Sequence, residues 1–241
     1  MNLVMDKVIN SVTLTHSKTY TFGPKYDGVR KLSEEPFVGV KENLISPIEC
    51  EYLINKAHGN LKRAGVVLDK LNGVSEGRTG SNCWFRFDGD DETVRSIGQR
   101  VADLVSMPLE NAESIQIIYY GVGQEYRHHF DAFKLGSERG NRAAKWGGQR
   151  LITVIGYLNS VNIGGGTNFS KLDITVNPKP GRAVIFHNTN GSILGPHPKS
   201  LHAGMPVLDG EKWAFNIWFR HLPMKEQYVH DEGETNEWQR K

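Results

Sequence analysis

Hydrophobic residues at helical spacing predict two helices in the first half of the chain. The first begins at Ser46-Pro47-Ile48-Glu49, which has the form of a capping box with proline at the first helical position. It is expected to end at His58, because Gly59 follows as a stop signal. The second is expected over residues 90–107, where one apolar stripe is formed by Val94, Ile97, Val101, Leu104 and Val105.

The second half of the chain changes to short apolar runs separated by turns that contain glycine or proline. Closely spaced runs of this kind are typical of a sandwich or a barrel. Together with the two helices they predict an α+β fold, with a double-stranded β-helix (jelly-roll) core and two supporting N-terminal helices. The expected strands cover residues 37–40, 115–120, 151–158, 167–169, 174–177, 182–186, 201–206 and 212–220.

Polar and glycine-rich segments divide the chain. We expect an N-terminal arm over residues 1–34, one globular domain over residues 35–222 and a polar tail over residues 223–241. Residues 73–81 contain too many glycines for a regular element, and we interpret them as a connector, with a lid as the alternative. Residues 135–150 are charged and glycine-rich, so a long loop is expected there.

Net charge, apolar runs and cysteine content limit the classes of protein to which the chain can belong. The 241 residues carry a formal net charge of +2, which provides no bulk attraction to nucleic acid or to an anionic membrane. No apolar run approaches a membrane span, and the first residues lack the pattern of a signal peptide. We therefore expect a soluble protein, cytoplasmic rather than secreted. Cys50 and Cys83 are expected to be reduced, with a single bridge between them as the alternative.

A His-x-Asp pair, His129 and Asp131, follows the predicted strand 115–120. In an extended chain, residues two apart point to the same face, so both side chains can project together. A second histidine from elsewhere would complete the 2-His-1-carboxylate set of non-heme Fe(II) oxygenases, which leaves coordination positions open for substrate and O₂. On its own, such a pair is more often a surface histidine beside a strand-end aspartate, so the rest of the chain has to supply the case for a metal site.

Three downstream histidines are candidates for the missing ligand: His187, His197 and His202. His197 lies between two prolines, where a fixed orientation is not expected. Lys212 favours His202 over His187, because a buried lysine needs an anionic partner and an Fe(II) dioxygenase needs a cation for the distal carboxylate of 2-oxoglutarate.

Strand parity adds a geometric expectation for Lys212. We expect the strands 201–206 and 212–220 to form a hairpin with a three-residue or bulged turn centred on Gly210. In that register His202 opposes Trp218, and His202, Lys212 and Trp218 share one face.

Several blocks spread from about residue 35 to residue 222 have a recognisable family pattern. They are residues 42–54, 77–81, 120–131, 147–153, 164–167, 201–206 and 210–213. With these blocks the chain resembles the prolyl 4-hydroxylase family, Fe(II)/2-oxoglutarate dioxygenases that act on peptidyl proline, and is similar to the soluble forms of algae, bacteria and large algal viruses. It departs from the family pattern at Gly80, which interrupts an Arg-Thr-Ser run, and at Gly166, where an acidic residue is frequent.

The resemblance implies roles for individual residues. It implies His129, Asp131 and His202 as ligands of Fe(II) and Lys212 as the clamp for 2-oxoglutarate, with Tyr120 and Thr167 as lesser contacts of that co-substrate. It further implies that O₂ is a co-substrate and that L-ascorbate (vitamin C) is a cofactor.

The resemblance also implies a proline-rich peptide or protein as the partner, with Tyr126, Arg150 and Trp218 near it. Neither a nucleic acid nor a membrane is expected as a partner, and the sequence gives no indication of oligomeric state. The alternatives are a related dioxygenase acting on a lysyl side chain, an asparaginyl side chain or a free amino acid, and a non-catalytic peptide-binding module on the same fold. A zinc hydrolase is a weaker alternative, because no general base is evident.

Overall fold

The computed structural model describes residues 19–23, 26–67, 72–74 and 77–229. The helices are α1 (Pro47–His58), α2 (Glu92–Val105) and α3 (Glu138–Ala144), with 3-10 turns at Leu109–Asn111 and Pro198–Ser200. The strands are β1 (Arg30–Ser33), β2 (Val38–Lys41), β3 (Lys62–Arg63), β4 (Gly65–Val67), β5 (Asn72–Val74), β6 (Ser81–Phe85), β7 (Ile115–Tyr120), β8 (Tyr126–His129), β9 (Arg150–Tyr157), β10 (Ile163–Gly164), β11 (Thr167–Phe169), β12 (Ile174–Val176), β13 (Ala183–His187), β14 (His202–Gly204), β15 (Val207–Asp209) and β16 (Lys212–Arg220). None of the helices in these ranges is long and apolar enough to cross a membrane.

The first two helices lie where the sequence predicts them. Ser46 caps α1 through the amide of Glu49, and the Glu49 carboxylate accepts the Ser46 amide in return, so the capping box is complete. The Asp91 side chain caps α2 by accepting the amide of Val94. These caps pair amide groups that would otherwise have no partner within the helix.

Eight strands form one large antiparallel sheet, in the order β1-β2-β13-β9-β16-β7-β6-β3. Successive side chains of a strand point to opposite faces of the sheet. Each central strand therefore contributes side chains to two hydrophobic cores, one on each face. Phe215 and Ile217 of β16 pack in the same core as Leu53 of α1 and Ile97 of α2. Ala214, which immediately precedes Phe215 in sequence, belongs to a second core on the opposite face.

A smaller sheet, in the order β12-β11-β14-β8, covers that opposite face. Phe169 from the small sheet and Tyr157 and Phe186 from the large sheet fill the space between the two. Two facing antiparallel sheets, with helices on the outer face of the larger one, confirm the predicted α+β jelly-roll core with its two N-terminal helices.

The predicted hairpin between the strands of His202 and Lys212 is wrong. Strand β14 pairs with β8 and β11 of the small sheet, whereas β16 pairs with β7 and β9 of the large sheet. Strand β15 lies between them in the chain and pairs with β10, so the chain passes from one sheet to the other. His202 therefore opposes His129 and not Trp218.

Other local expectations also need correction. Residues Asn72–Val74 form β5 and Ser81 begins β6, although the 73–81 segment was expected to be irregular; residues 75–76 lie outside the described ranges. Residues Glu138–Ala144 form α3 inside the expected long loop, where Ser137 caps the helix through the amide of Gly140. Arg30–Ser33 forms β1, so this part of the expected arm pairs with the large sheet.

The glycine content of residues 73–81 does not prevent a strand from forming at Asn72–Val74, because glycine keeps both its backbone N–H and its C=O for strand pairing. Gly140 has a packing reason as well, because a Cβ built on it would lie 1.9 Å from the Lys134 carbonyl oxygen. Cys50 and Cys83 are both buried free thiols, so the bridge between them is excluded in this structure.

Candidate metal and co-substrate site

Three side chains converge in the space between the two sheets. His129 ends β8 and His202 begins β14, and the two are direct partners in the antiparallel pairing of these strands. Asp131 lies two residues beyond His129. One ligand atom from each of the three lies within 4.8 Å of the others. The predicted cluster is therefore assembled in space, from segments far apart in sequence.

The backbone sets the tautomer of both imidazoles. Nδ1 of His129 lies 2.8 Å from the carbonyl oxygen of Arg127, and Nδ1 of His202 lies 2.9 Å from that of Ser200. A carbonyl can only accept, so each Nδ1 carries a hydrogen and each Nε2 presents a lone pair. Burial lowers the pKa of His202 to about 4, which keeps that lone pair available at neutral pH.

The two lone pairs face the Asp131 carboxylate. His129 Nε2 is 3.5 Å from Oδ1 and His202 Nε2 is 3.7 Å from Oδ2. With both hydrogens on Nδ1, no N–H points into this space, and three electron-rich groups confront one another. A cation at their centre would turn this repulsion into attraction. Two imidazole nitrogens and one carboxylate are the donor set that non-heme Fe(II) sites use, so the residues fit the metal.

The Asp131 residue is 7% exposed, and hydrogen bonds fix the position of its carboxylate. Its Oδ2 accepts hydrogen bonds from the Thr153 hydroxyl at 2.8 Å and from the Trp218 indole at 2.9 Å. Burial alone would raise the pKa of Asp131, but interactions with the His202 and His129 side chains and with the Arg150 guanidinium lower it well below its usual range. The group is an anion at any physiological pH, as a metal ligand must be.

Lys212 enters the same space from the large sheet. Its side chain is buried, with the residue 3% exposed, and it has no hydrogen bond or ion pair to any described residue. Its Nζ lies 5.5 Å from the centre of the Tyr157 ring and 5.9 Å from that of Tyr120. Burial lowers the pKa of Lys212 to about 8. An isolated buried ammonium is costly, so this position fits an anionic ligand that the chain itself does not supply.

A cavity of about 40 Å³ joins Lys212 to the His-Asp-His cluster. Tyr120 and Thr167 line it, so both predicted co-substrate contacts lie beside Lys212. The Tyr157 hydroxyl lies 2.7 Å from the Thr167 hydroxyl and 2.9 Å from the Val176 carbonyl oxygen, so hydrogen bonds hold the Thr167 side chain in place. Tyr120 also explains Gly80, because a Cβ there would lie 2.5 Å from the Tyr120 ring and from the Tyr119 carbonyl oxygen.

A much larger groove, of about 1060 Å³, opens from the other side of the cluster. Tyr126, Arg150 and Trp218, the three residues predicted near a peptide, all line it. Tyr126 stacks on the His129 ring, with centroids 3.6 Å apart. Two exposed aromatic residues, Trp84 and Phe130, also line the groove, at 45% and 40% exposure.

Arg150 and Trp218 are tied into the protein as well as facing the groove. Arg150 forms a bidentate pair with Glu113, at 2.6 and 2.7 Å. Its guanidinium lies 4.0 Å from the centre of the Trp218 ring, within range of a cation–π interaction. Trp218 itself is 4% exposed and donates to Asp131. Its indole thus holds a cluster residue, and the place of Trp218 near the peptide stays a prediction.

The rival histidines lie outside the cluster. His187 Nε2 is 2.7 Å from the Tyr26 hydroxyl, and its ring stacks on Phe22. The His197 side chain accepts the amide of Lys199 and so caps a 3-10 turn. Both are structural histidines. Lys212 argued from sequence against His187 alone, and His197, for which no fixed orientation is expected from sequence, is held by its hydrogen bond to Lys199.

Sequence reasoning missed several groups that shape the site. Glu113 binds Arg150 and also Arg220, at 2.6 Å. Thr153 and Asn188 sit behind Asp131. A sequence signal existed for Thr153, which is a polar residue in the middle of a largely apolar strand. No sequence signal pairs Glu113 with Arg220, because their contact depends on how the sheet folds.

Comparison with known proteins places this site in a family. A family model described as the 2OG-Fe(II) oxygenase superfamily matches residues 115–220, which include the His-Asp-His cluster and Lys212. Prolyl 4-hydroxylase 2 of Arabidopsis thaliana is 34% identical over 227 residues, covering 84% of this chain and 73% of the relative. A putative prolyl 4-hydroxylase of Acanthamoeba polyphaga mimivirus is 35% identical over 187 residues, covering 77% and 74%.

Solved structures agree with the sequence relatives. The viral collagen prolyl hydroxylase of Paramecium Bursaria Chlorella virus-1, in its 2OG complex, is 25% identical with a TM-score of 0.61, covering 78% of this chain and 98% of that chain. A Pseudomonas putida prolyl-4-hydroxylase, 20% identical with a TM-score of 0.53 over 76% of this chain and 92% of that chain, shares the fold.

Proposed function

The chain belongs to the prolyl 4-hydroxylase family of 2OG-Fe(II) oxygenases, and we propose that it hydroxylates C4 of proline residues within peptides. The reaction consumes 2-oxoglutarate and O₂ and yields succinate, CO₂ and 4-hydroxyproline. One oxygen atom of O₂ enters the succinate and the other enters the proline.

One observation carries this proposal: three metal-type donors and one unpaired ammonium line a single cavity. We assign His129, Asp131 and His202 as the residues that hold Fe(II). When bound, the iron supplies open coordination positions for 2-oxoglutarate and O₂ and the redox chemistry of the decarboxylation. The chain's own contribution is to present two lone pairs and a carboxylate in fixed orientations.

Lys212 is assigned to the carboxylate of 2-oxoglutarate that lies away from the metal. Its burial and its missing partner within the described chain make it a strong, charge-assisted donor to an incoming anion. Tyr120 and Thr167 line the same cavity and offer hydroxyl groups to that carboxylate. The co-substrate would thus be held at one end by the cluster and at the other by the large sheet.

The larger groove is assigned to the peptide. It reaches His129 and Asp131 and is lined by Tyr126, Arg150 and Trp218. A proline-rich peptide suits such an aromatic groove, because its polyproline II form is ordered before it binds and little conformational entropy is lost. We propose a proline-rich substrate for this reason.

Two further assignments complete the proposal. We propose L-ascorbate as a cofactor that keeps the iron in its Fe(II) state, and a dioxygenase domain over residues 35–222, within which the family model matches residues 115–220. Ascorbate should extend the number of turnovers in a long assay without changing the initial rate.

A substrate panel tests the proposed function. Purified protein with Fe(II), 2-oxoglutarate and O₂ is offered peptides that contain proline, lysine or asparagine, and free proline, while succinate and the mass of each peptide are followed. We expect proline peptides to accelerate succinate formation and to gain one oxygen on proline. Faster turnover with a lysine or asparagine peptide would reject the substrate assignment. Proline-peptide binding without any succinate would reject enzymatic activity and favour a binding module.

A further inference from the structure

Behind the metal-type cluster, three buried polar side chains lie in a row. The Asn188 amide nitrogen is 2.8 Å from the Thr153 hydroxyl oxygen, which is 2.8 Å from Asp131 Oδ2. Asn188 and Thr153 are fully buried, at 0% exposure. In such surroundings each polar group needs a partner, so the hydrogen bonds of this row are well defined.

Chemistry fixes the direction of the row. An ionised carboxylate can only accept hydrogen bonds, and a hydroxyl has a single hydrogen to donate. Thr153 therefore donates to Asp131, and its lone pair accepts the Asn188 amide N–H. The contact of 3.2 Å between the Thr153 hydroxyl and the Asn188 amide oxygen cannot use the same hydrogen at the same time.

Because of these hydrogen bonds, the two carboxylate oxygens of Asp131 have different surroundings. Oδ2 receives the Thr153 hydroxyl and the Trp218 indole N–H. Oδ1 receives no hydroxyl or amide donor from the described residues, and its nearest cluster neighbour is the His129 Nε2 lone pair at 3.5 Å. The oxygen without donors has its lone pairs available for a metal.

Asn188 is also joined to the loop of the second histidine. Its backbone amide donates to Leu151 at 2.8 Å, and its carbonyl accepts the His197 amide at 2.8 Å. The Ser200 hydroxyl lies 3.2 Å from the same carbonyl and donates to the His197 carbonyl at 2.8 Å. The Ser200 carbonyl in turn accepts Nδ1 of His202. One buried asparagine therefore connects, through its side chain and its backbone, to both Asp131 and His202.

We propose that Asn188 and Thr153 are positioning residues that reserve Asp131 Oδ2 for the protein and direct Oδ1 to the metal. The inference rests on the proposed function only for the identity of the metal ligands. Residues of this kind, which support a ligand without touching the ion, contribute about 10–100-fold to metal affinity. Asn188 acts through Thr153, so the two effects should not add.

Mn(II) titration of the metal-free protein, followed by calorimetry, tests the proposal. Thr153→Val, which removes the hydroxyl at nearly constant volume, should weaken Mn(II) binding about 10–100-fold, and Thr153→Ser should restore it. Asn188→Leu should weaken binding less, and the Thr153→Val/Asn188→Leu double variant should bind no more weakly than Thr153→Val alone.

Thr189→Val is the matched control. Thr189 is also a buried threonine, at 1% exposure, but its hydroxyl has no hydrogen-bond partner among the described residues. This variant should bind Mn(II) like the wild type.

Thermal unfolding of each metal-free variant separates positioning from general stability. If Thr153→Val lowers the melting temperature but binds Mn(II) as tightly as the wild type, the proposal is overturned. If Thr153→Val does not fold, Asn188→Leu decides: Mn(II) binding as tight as in the wild type overturns the proposal, and weaker Mn(II) binding at an unchanged melting temperature supports it. If the wild-type protein itself binds no Mn(II), the proposed function fails and the inference fails with it, an outcome distinct from the others.

Discussion

His129 and His202 are direct partners in the pairing of β8 with β14, with ring centroids 4.3 Å apart. In each histidine, Nδ1 donates a hydrogen bond to the backbone carbonyl of the residue two positions earlier. The same local geometry therefore occurs twice, on two paired strands. The pairing of two strands in the small sheet thus brings together two ligands that lie far apart in the sequence. Asp131 joins them because the chain leaves β8 two residues after the first histidine.

Replacing His202 should abolish turnover, because it removes one of three donors. We expect His202→Ala to lower 2-oxoglutarate turnover by more than about a hundredfold, the upper end of the loss typical when a residue that merely supports a ligand is changed. His187→Gln is the control, since His187 hydrogen-bonds Tyr26 outside the cluster. Succinate formation per folded protein checks both, and loss of turnover in the control with retention in His202→Ala would reverse the assignment.

Lys212 should make the protein less stable when no ligand is bound. Burial lowers its pKa to about 8, compared with about 10.4 for an exposed lysine, which corresponds to a cost on the order of 3 kcal/mol at neutral pH. We therefore expect Lys212→Met to raise the free energy of unfolding of the metal-free protein by about 2–3 kcal/mol while it abolishes 2-oxoglutarate binding.

The pH dependence of that stabilisation has a defined sign. Between pH 8 and about 10.4 the unfolded chain holds the lysine proton and the folded chain does not, so wild-type stability rises with pH in this window. The advantage of Lys212→Met should be largest below pH 8 and should fade towards pH 10. Urea unfolding at several pH values measures it, and a less stable Lys212→Met at pH 7 would contradict the account.

The same pKa predicts how 2-oxoglutarate affinity depends on pH. Only the ammonium form of Lys212 can pair with a carboxylate, so the Kd for 2-oxoglutarate should rise about tenfold between pH 7 and pH 9. Lys212→Arg, which stays charged throughout this range, should bind more weakly but with little change across it. Titration in the presence of Mn(II) checks both, and a flat wild-type profile would argue against Lys212 as the clamp.

Glu113 should be critical for stability beside the groove. Burial would raise its pKa, but the guanidinium groups of Arg150 and Arg220 lower it, so it is an anion between two cations. Glu113→Gln leaves both arginines without a charge partner and should destabilise the fold by about 3–5 kcal/mol. The control is Glu138→Gln, at an exposed pair with Arg142 3.5 Å away, which should cost less than about 0.5 kcal/mol. Similar unfolding free energies for the two variants would disprove a special role for Glu113.

Local signals predicted the first two helices and many strand bounds, because these features depend on neighbouring residues. The capping box at Ser46 and the strand runs Ile115–Tyr120 and Lys212–Arg220 appear where expected. The His-x-Asp motif and a buried lysine were enough to nominate the cluster and to prefer His202 over His187.

The pairing of strands could not be predicted in the same way. The short distance in sequence between β14 and β16 favoured a hairpin of these two strands. In the structure β15 pairs with β10, and β16 pairs within the large sheet. Which residues stand behind a ligand, such as Thr153 and Asn188 behind Asp131, also follows from sheet order and not from spacing along the chain. These contacts depend on long-range packing that no local pattern encodes.

The central claim is that three ligands and one lysine hold metal and co-substrate in a single cavity. A crystal structure of the protein with Mn(II) and 2-oxoglutarate, with the metal located by anomalous scattering, tests it most directly. We expect one peak within bonding distance of His129 Nε2, His202 Nε2 and Asp131 Oδ1, and a 2-oxoglutarate carboxylate about 2.7–2.9 Å from Lys212 Nζ. A peak away from these three side chains, or a co-substrate that leaves Lys212 without a partner, would contradict the account.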